Sequence, residues 1–316
     1  MTSLYHDISL TMTIFRRLIW DQPYILLLLA LSFWAGNFVV GEFTTKISAE
    51  PVPPIQLAFL RWVFAALILL PFAFRSLQAE RRIIRANLPA LWVTGVSAYA
   101  FYNSCLYLAL SYESSNATSM ATLQTIFPAL VAVLALILFG TRLKVANIVG
   151  ICLAVVGGFI ATSQGDFSNL KQIRLGAAEY WALGGVLAYA LYIVLLRLRP
   201  AGISALSFLW LLIIAGLTVL GPWWAFDTWV AGNRFSFNSQ NLLALGYLAI
   251  FPSLVSALCF NRAVQLIGPS VPSLFINFTP FGVALLIWLS PLPSQLAWYH
   301  LISLAVIFPG IWLVRR

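Results

Sequence analysis

Charge is confined to the gaps between long apolar stretches, and nothing else in this chain restricts its fold as much. From Tyr24 to Val40, and again from Pro128 to Phe139, there is no charged side chain. Of 316 residues, 61% are hydrophobic and 9% are charged, with a mean hydropathy of +0.93. A soluble domain carries about 25% charged residues to keep its surface wetted. In lipid an apolar exterior is the stable one, provided every backbone polar group is satisfied internally, as it is in helices and closed barrels. Barrel strands alternate in segments of about ten residues, whereas these blocks run on without alternation. The expected class is therefore all-α integral membrane.

Spans of about 20 residues are predicted at 24–43, 54–74, 88–110, 115–139, 144–163, 177–196, 204–224, 241–262, 270–290 and 296–314. The two longer connections, 164–176 and 225–240, are polar and read as exposed loops. Arg16 and Arg17 precede the first block, which reads as a retained helix rather than a cleaved signal. With the N-terminus in the cytoplasm, thirteen Lys and Arg fall on the cytoplasmic side: Arg16, Arg17, Arg75, Arg81, Arg82, Arg85, Arg142, Lys144, Arg197, Arg199, Arg262, Arg315 and Arg316. Four fall outside, Lys46, Lys171, Arg174 and Arg234, and Arg61 lies within the second span. This bias obeys the positive-inside rule and places both termini in the cytoplasm. It also explains the net charge of +9 without a nucleic-acid partner.

The halves resemble each other in order. Phe33-Trp34-Ala35-Gly36-Asn37-Phe38 matches Ala188-Tyr189-Ala190-Leu191-Tyr192-Ile193, and Phe59-Leu60-Arg61-Trp62 matches Phe208-Leu209-Trp210-Leu211. Leu106-Tyr107-Leu108-Ala109 matches Phe260-Asn261-Arg262-Ala263, and Thr125-Ile126-Phe127-Pro128 matches Asn277-Phe278-Thr279-Pro280. Five spans per half is odd, so the second half enters the membrane upside-down. The expected units are residues 1–165, with a short N-terminal tail, and 166–316. Inverted repeats are a recurrent plan of secondary transporters, with substrate bound near the midplane.

The motifs Trp34-Ala35-Gly36-Asn37-Phe38, Phe59-Leu60-Arg61-Trp62, Tyr107-Leu108-Ala109-Leu110 and Phe127-Pro128-Ala129 carry a family resemblance, joined by Asn261-Arg262-Ala263, Gly268-Pro269-Ser270 and Phe278-Thr279-Pro280. Together they resemble the drug/metabolite transporter superfamily, and within it the EamA-type carriers. By overall likeness the chain is most similar to the YddG-type exporters of aromatic amino acids. The resemblance implies a ten-helix basket around a central cavity, lined by spans one, three, four, six, eight and nine. It also implies residence in a bacterial cytoplasmic membrane.

The substrate-binding candidates are Trp34, Asn37, Tyr99, Tyr102, Asn103, Gln124, Thr125, Tyr189, Tyr192, Ser253, Ser256 and Asn277. Trp34 with Asn37, and Tyr189 with Tyr192, lie one turn apart on a shared face. Aromatic walls can stack an aromatic solute and attract its ammonium, and intramembrane polarity is costly without a purpose. Packing, interfacial belts and interhelical hydrogen bonds are the plainer readings. Arg61 reads as a side chain snorkelling to the outer headgroups or in a structural ion pair, in preference to a carboxylate-attracting group or a gating pair with Glu42. Pro128 and Pro280 occupy matching places, as kinks that hinge or merely shape the cavity. Gly150, Ala154 and Gly158 form a small-residue packing stripe on span five.

No catalytic motif is present, and His6, His300, Cys105, Cys152 and Cys259 form no metal-ligand pattern. No enzyme activity, cofactor or metal is expected. The expected function is a secondary carrier exporting aromatic and other neutral amino acids by alternating access, with membrane lipid as its surroundings. A drug or cation efflux pump and a sugar-phosphate exchanger are the alternatives on the same fold, and a non-transporting scaffold is the alternative of another class. Proton coupling through Glu42 or Glu113 stays open.

Overall fold

The computed structural model describes residues 16–141, 144–163, 166, 176–289 and 298–315. Arg142, Lys171, Arg174 and Arg316, used in the charge argument, lie outside these residues, as does most of the 164–176 connection. Among the described residues every regular element is helical.

A π-helical turn, Arg16–Trp20, precedes α1 (Pro23–Glu42), and a second, Phe43–Ile47, closes it. Then come α2 (Pro54–Ala79) and the short α3 (Arg81–Ala86). Next, α4 (Leu88–Gly95) passes through a π turn, Val96–Tyr102, into α5 (Asn103–Ser111). After it, α6 (Ala117–Leu123) passes through a 3₁₀ turn, Gln124–Ile126, into α7 (Phe127–Phe139), and α8 (Val145–Thr162) follows. The second half holds α9 (Ala177–Leu195) with a 3₁₀ turn, Leu196–Leu198, and α10 (Ala205–Trp229). There, α11 (Ser239–Ile250) passes through a π turn, Phe251–Val255, into α12 (Ser256–Ile267). Finally α13 (Ser270–Phe275) passes through a 3₁₀ turn, Ile276–Phe278, into α14 (Thr279–Trp288), and α15 (Trp298–Arg315) ends the chain.

Among the described residues six helical segments are long and apolar enough to cross a membrane: Pro23–Ile47, Pro54–Ala79, Ala177–Leu198, Ala205–Trp229, Ser239–Ile267 and Val271–Trp288. Helices also occupy each of the other predicted ranges, but there they are shorter or interrupted. The polarity of the bundle is reversed relative to a soluble protein. Ile137, Trp229 and Leu243 are 70–76% exposed, while Asn37, Gln56, Arg61 and Asn103 are at most 5% exposed. An exterior of this kind is stable only against lipid.

Local chemistry sets the element ends. Ser204 caps α10 by accepting from the Ser207 N–H at 3.2 Å, and Asn238 caps α11 by accepting from the Asn241 N–H at 2.8 Å. Gly140 ends α7 in the left-handed conformation, φ 61°.

Pro128 and Pro280 mark local breaks in otherwise unbroken helical runs. Each stands in the first turn of a new helix, just after a 3₁₀ turn. A proline is favoured there because its missing N–H would have no intrahelical partner. The irregularities recur along the chain: Pro71 and Pro222 each lie seventeen residues past the first residue of α2 and α10.

The α2–α10 pair is clamped along its length. Gln56 donates to Asp227 (3.0 Å) and Thr228 (2.8 Å) and accepts from the Trp224 indole (2.6 Å); Phe59 stacks on Trp224 at 4.5 Å. Helices α8 and α15 pack closely at Gly157, whose carbonyl accepts from Ser303 Oγ at 2.6 Å. The close approach on this helix is thus at Gly157. The side chain of Ala154 and the surroundings of Gly158, members of the expected stripe, lie outside the described residues.

Candidate functional site

The polar interior converges on Arg61. Arg61 is 2% exposed, lies seven residues past the first residue of α2, and turns into the bundle. Nε donates to Ser253 Oγ at 2.5 Å. Nη1 lies 2.7 Å from Asn37 Oδ1, 3.0 Å from Asn103 Oδ1 and 2.5 Å from Tyr107 Oη. The charge also sits over the rings of Trp62 (4.7 Å) and Tyr107 (5.8 Å). No described carboxylate lies within 4.0 Å of it. Two of the sequence readings of this residue, snorkelling to the headgroups and a pair with Glu42, are therefore corrected. Arg61 does not reach outward, because neutral oxygens from three other elements hold it inside. Glu42 is not its partner either: that carboxylate pairs with Lys46 at 3.3 Å and accepts from the Ala117 N–H at 2.8 Å.

The π turns build this pocket. A π turn widens the helix and leaves carbonyls without their usual partners. In Val96–Tyr102 and its neighbour, Asn103 Nδ2 bonds the Ala98 carbonyl. In Phe251–Val255, Ser253 and Ser256 bond the Leu248 and Phe251 carbonyls, in each case five residues back. The widened turns aim Tyr99 and Tyr102 from one side, and Ser253 from the other, toward Arg61. Close packing of α10 fixes the first turn in place: a Cβ on Gly216 would lie 2.5 Å from Tyr99 Cβ, and one on Gly95 would lie 2.4 Å from the Leu212 carbonyl.

A cavity of about 30 Å³ adjoins the guanidinium, with Trp34, Tyr99, Tyr102, Tyr189 and Tyr192 as its aromatic wall. Tyr189 is the hub, contacting Tyr102 at 4.5 Å, Tyr192 at 5.1 Å and Trp34 edge-on at 5.8 Å. Two donors are left over. Trp62 Nε1 is buried with no acceptor, and Arg61 Nη2 donates to no described residue. Among the described residues no acidic side chain lines the space.

The structure thus brings together Trp34, Asn37, Tyr99, Tyr102, Asn103, Tyr189 and Tyr192 on one cavity, with Ser253 bonded to its arginine. Gln124 stands behind Tyr102, donating to its hydroxyl at 2.6 Å. Ser256 is used up on the Phe251 carbonyl and does not line the cavity. Asn277 is buried in the 3₁₀ turn Ile276–Phe278 with both amide atoms unpartnered, away from the lining. The side chain of Thr125 lies outside the described residues. Sequence reasoning missed Trp62 as a wall, and Tyr107 and Asn261 as hydrogen-bonding partners. Trp62 adjoins Arg61, and the other two stood in the quoted motifs, so the signal was present.

Two Tyr–Asn hydrogen bonds bracket the cavity. Tyr107 donates to Asn37 Oδ1 at 2.8 Å, joining α5 to α1. Tyr192 donates to Asn261 Oδ1 at 2.5 Å, joining α9 to α12. In the sequence comparison of the halves, Asn37 stands opposite Tyr192 and Tyr107 opposite Asn261.

The profile of the EamA-like transporter family matches residues 22–163 and matches again at 176–316. The chain belongs to this family. EamA-like proteins are transporters rather than enzymes, so this one is a multi-pass membrane protein that handles a small-molecule substrate in a lipid environment. It is 23% identical over 265 residues to the uncharacterized transporter YyaM of Bacillus subtilis, covering 81% of this chain and 82% of that one. It is 24% identical over 260 residues to the uncharacterized inner membrane transporter YicL of Salmonella typhimurium, covering 82% and 84%. A crystal structure superposes with a TM-score of 0.70 over 92% of this chain and 95% of the other, at 15% identity, a likeness of fold.

Proposed function

We propose that this EamA-like transporter is a secondary carrier for small organic carboxylates with an aromatic body, with aromatic amino acids as the first candidates and export as its direction. One observation carries the reading: a buried arginine with no carboxylate beside it lies in an aromatic cavity, next to a second unpartnered donor on Trp62. An unpaired buried charge costs several kcal/mol even after relaxation. A substrate carboxylate would offset that cost, and Arg suits the task because its planar fork matches two oxygens. The ammonium of an amino acid would lie against the tyrosine faces.

Cation efflux is disfavoured by the same guanidinium, which repels a positive substrate. A sugar-phosphate exchanger would want several cations at the cavity, and Arg61 stands alone there.

The wider frame of the proposal is ten spans, arranged as inverted halves 1–165 and 166–316 in a bacterial inner membrane, with both termini cytoplasmic. The double family match, the paired π and 3₁₀ turns, and Pro71 and Pro222 at equal depths support it. Ligand sites usually measure about 300–1,000 Å³. We read the 30 Å³ cavity, with both Tyr–Asn bonds made, as a closed member of an alternating-access cycle. Glu42 is held by Lys46, and the cavity has no acid of its own, so transport runs down the solute gradient without a coupled proton.

The test is flux of labelled L-phenylalanine into proteoliposomes of the purified protein, with and without a pH gradient. Saturable flux that ignores the gradient is expected. Folded protein giving no flux above empty liposomes removes aromatic amino acids, and a response to the gradient removes uncoupled transport.

A further inference from the structure

A cavity larger than the one at Arg61 lies elsewhere among the described residues. A space of about 500 Å³ opens where the 3₁₀ turn Leu196–Leu198 meets α10 and α12, and Arg199, Phe208, Asn261, Val264 and Gln265 line it. Its volume falls within the range of small-molecule sites.

Arg199 is fixed there in a way that leaves part of it unused. Nη2 donates to the Ile203 carbonyl at 2.8 Å, and the guanidinium lies over the Phe208 ring at 4.8 Å. Nη1 is buried and has no acceptor. The neighbouring charges are engaged elsewhere. Glu80 accepts from the Ser204 N–H at 3.1 Å and from its hydroxyl, and Arg262 pairs with Asp21 at 2.7 Å. Arg197 bonds Thr141 Oγ1. Burial pulls the Arg199 pKa below its ordinary value, against the opposing influence of Tyr192 and Glu80. A guanidinium already oriented by a carbonyl and a ring loses little freedom when it binds, which favours affinity.

The pocket borders the Arg61 cavity. Asn261 faces the pocket, Tyr192 faces the Arg61 cavity, and the 2.5 Å hydrogen bond between them is the partition. We propose that the Arg199 pocket is a second binding site for organic carboxylates, separated from the Arg61 cavity by the Tyr192–Asn261 hydrogen bond. Arg199 and the Asn261 amide would hold the anionic oxygens, and Phe208 and Val264 the apolar body. The choice of ligand rests on the carboxylate reading of Arg61. The site itself does not require Arg61 and is tested separately from it. A phospholipid phosphate offers similar oxygens, but Asn261 is 5% exposed and turned to the bundle interior, so a soluble anion fits better.

The experiment uses Gln265→Cys in the full-length protein with Cys152→Ser, since Gln265 and Cys152 are exposed while Cys105 and Cys259 are buried. Thiol modification is timed in maltoside micelles with an anionic and a cationic methanethiosulfonate. Phenylacetate, phenethylamine or phosphatidylglycerol is added in separate arms.

The anionic reagent should react about tenfold faster than the cationic one, an effect of local field. Phenylacetate should protect saturably and phenethylamine should not. Arg199→Gln should abolish the protection and lessen the rate bias, with Arg197 at the pocket and Arg262 beside it keeping part of the field, and Arg199→Lys should keep the bias with weaker protection. Arg61→Gln should keep the protection while losing L-phenylalanine flux. Protection that survives Arg199→Gln, or that only phosphatidylglycerol provides, overturns the proposal. So does protection lost in a monodisperse Arg61→Gln protein, which would mean one site rather than two. Failure of flux with protection intact would instead count against the Arg61 reading alone.

Discussion

Replacing Arg61 by Gln separates a substrate-binding arginine from a structural one. If the residue were a structural post, its loss would strand the groups around it. Most of them keep a partner. Asn37 Oδ1 still accepts from Tyr107, and Ser253 still donates to the Leu248 carbonyl. Asn103 Nδ2 still bonds Ala98, so only its Oδ1 loses its donor. One stranded buried acceptor costs about 1–3 kcal/mol. Against this, the variant no longer buries a charge, which relieves several kcal/mol of desolvation. Thermal stability in detergent should therefore stay level or rise.

Binding should move the other way. Two charge-assisted hydrogen bonds at about 1.5 kcal/mol each give about 3 kcal/mol. Their loss should weaken L-phenylalanine by about 150-fold. Phenethylamine, which lacks the carboxylate, should bind the variant no worse than the parent. Counterflow in proteoliposomes reads the first effect and competition reads the second. A Gln variant that keeps the parent KM refutes the carboxylate role. One that melts well below the parent while losing transport makes Arg61 a structural post and refutes the stability reasoning as well.

Tyr192→Phe removes the partition bond. Interhelical hydrogen bonds in membranes contribute about 0.6 kcal/mol on average and up to about 1.7. Exchange across this side should therefore quicken by about threefold to twentyfold, and an unchanged counterflow rate would take this bond out of the transport cycle. Gly216→Ala places a Cβ 2.5 Å from Tyr99 Cβ, and overpacking of that kind costs about 1–3 kcal/mol. Gly221→Ala, whose nearest neighbour is 3.8 Å away, is the control, and equal melting of the two variants would contradict the packing. Glu50 lies outside the spans, and hydrogen bonds from Ser236 and then Asn238 hold its pKa below 4.5. Because that pKa is lowered on folding, the contact is in force above the ordinary value and is released as pH falls through the lowered one. Protection of the Asn238 side-chain amide, corrected for the intrinsic pH dependence of exchange, should fall only in that acid window, and a loss of protection near neutral pH would contradict the assignment.

The helices and the aromatic wall were legible in the sequence because both follow from composition and spacing. Apolar length announces a span, and pairs such as Tyr189 and Tyr192 share a face by helix geometry. The orientation of Arg61 was not legible. An arginine about two turns into a span can reach headgroups as easily as the interior, and what decides between them is a set of oxygens contributed by Asn37, Asn103, Tyr107 and Ser253, distant in sequence. The π turns were also hidden, since nothing in Val96–Tyr102 departs from helical periodicity.

The two Tyr–Asn bonds show why a resemblance between halves can be functional yet faint. A hydrogen bond joins two helices equally well whichever of them carries the tyrosine. Asn37 with Tyr107 and Tyr192 with Asn261 keep the bond while exchanging its ends, so residue-by-residue identity vanishes while the physical link survives. Arg61 breaks the equivalence, since Trp210 stands at its place in the second half and donates to the Ala66 carbonyl. Of the two bonds, only Asn37–Tyr107 is hydrogen-bonded directly to an arginine, and on the proposed reading that is the arginine a substrate carboxylate claims. A substrate arriving past Tyr192 would compete with Asn37 and Asn103 for Arg61 and loosen that bond alone, biasing opening toward the far side. Hydrogen exchange should then show L-phenylalanine deprotecting the α1–α5 contact more than the α9–α12 contact, with phenethylamine deprotecting neither. Equal deprotection of the two contacts would leave the arginine a binding group with no part in setting direction.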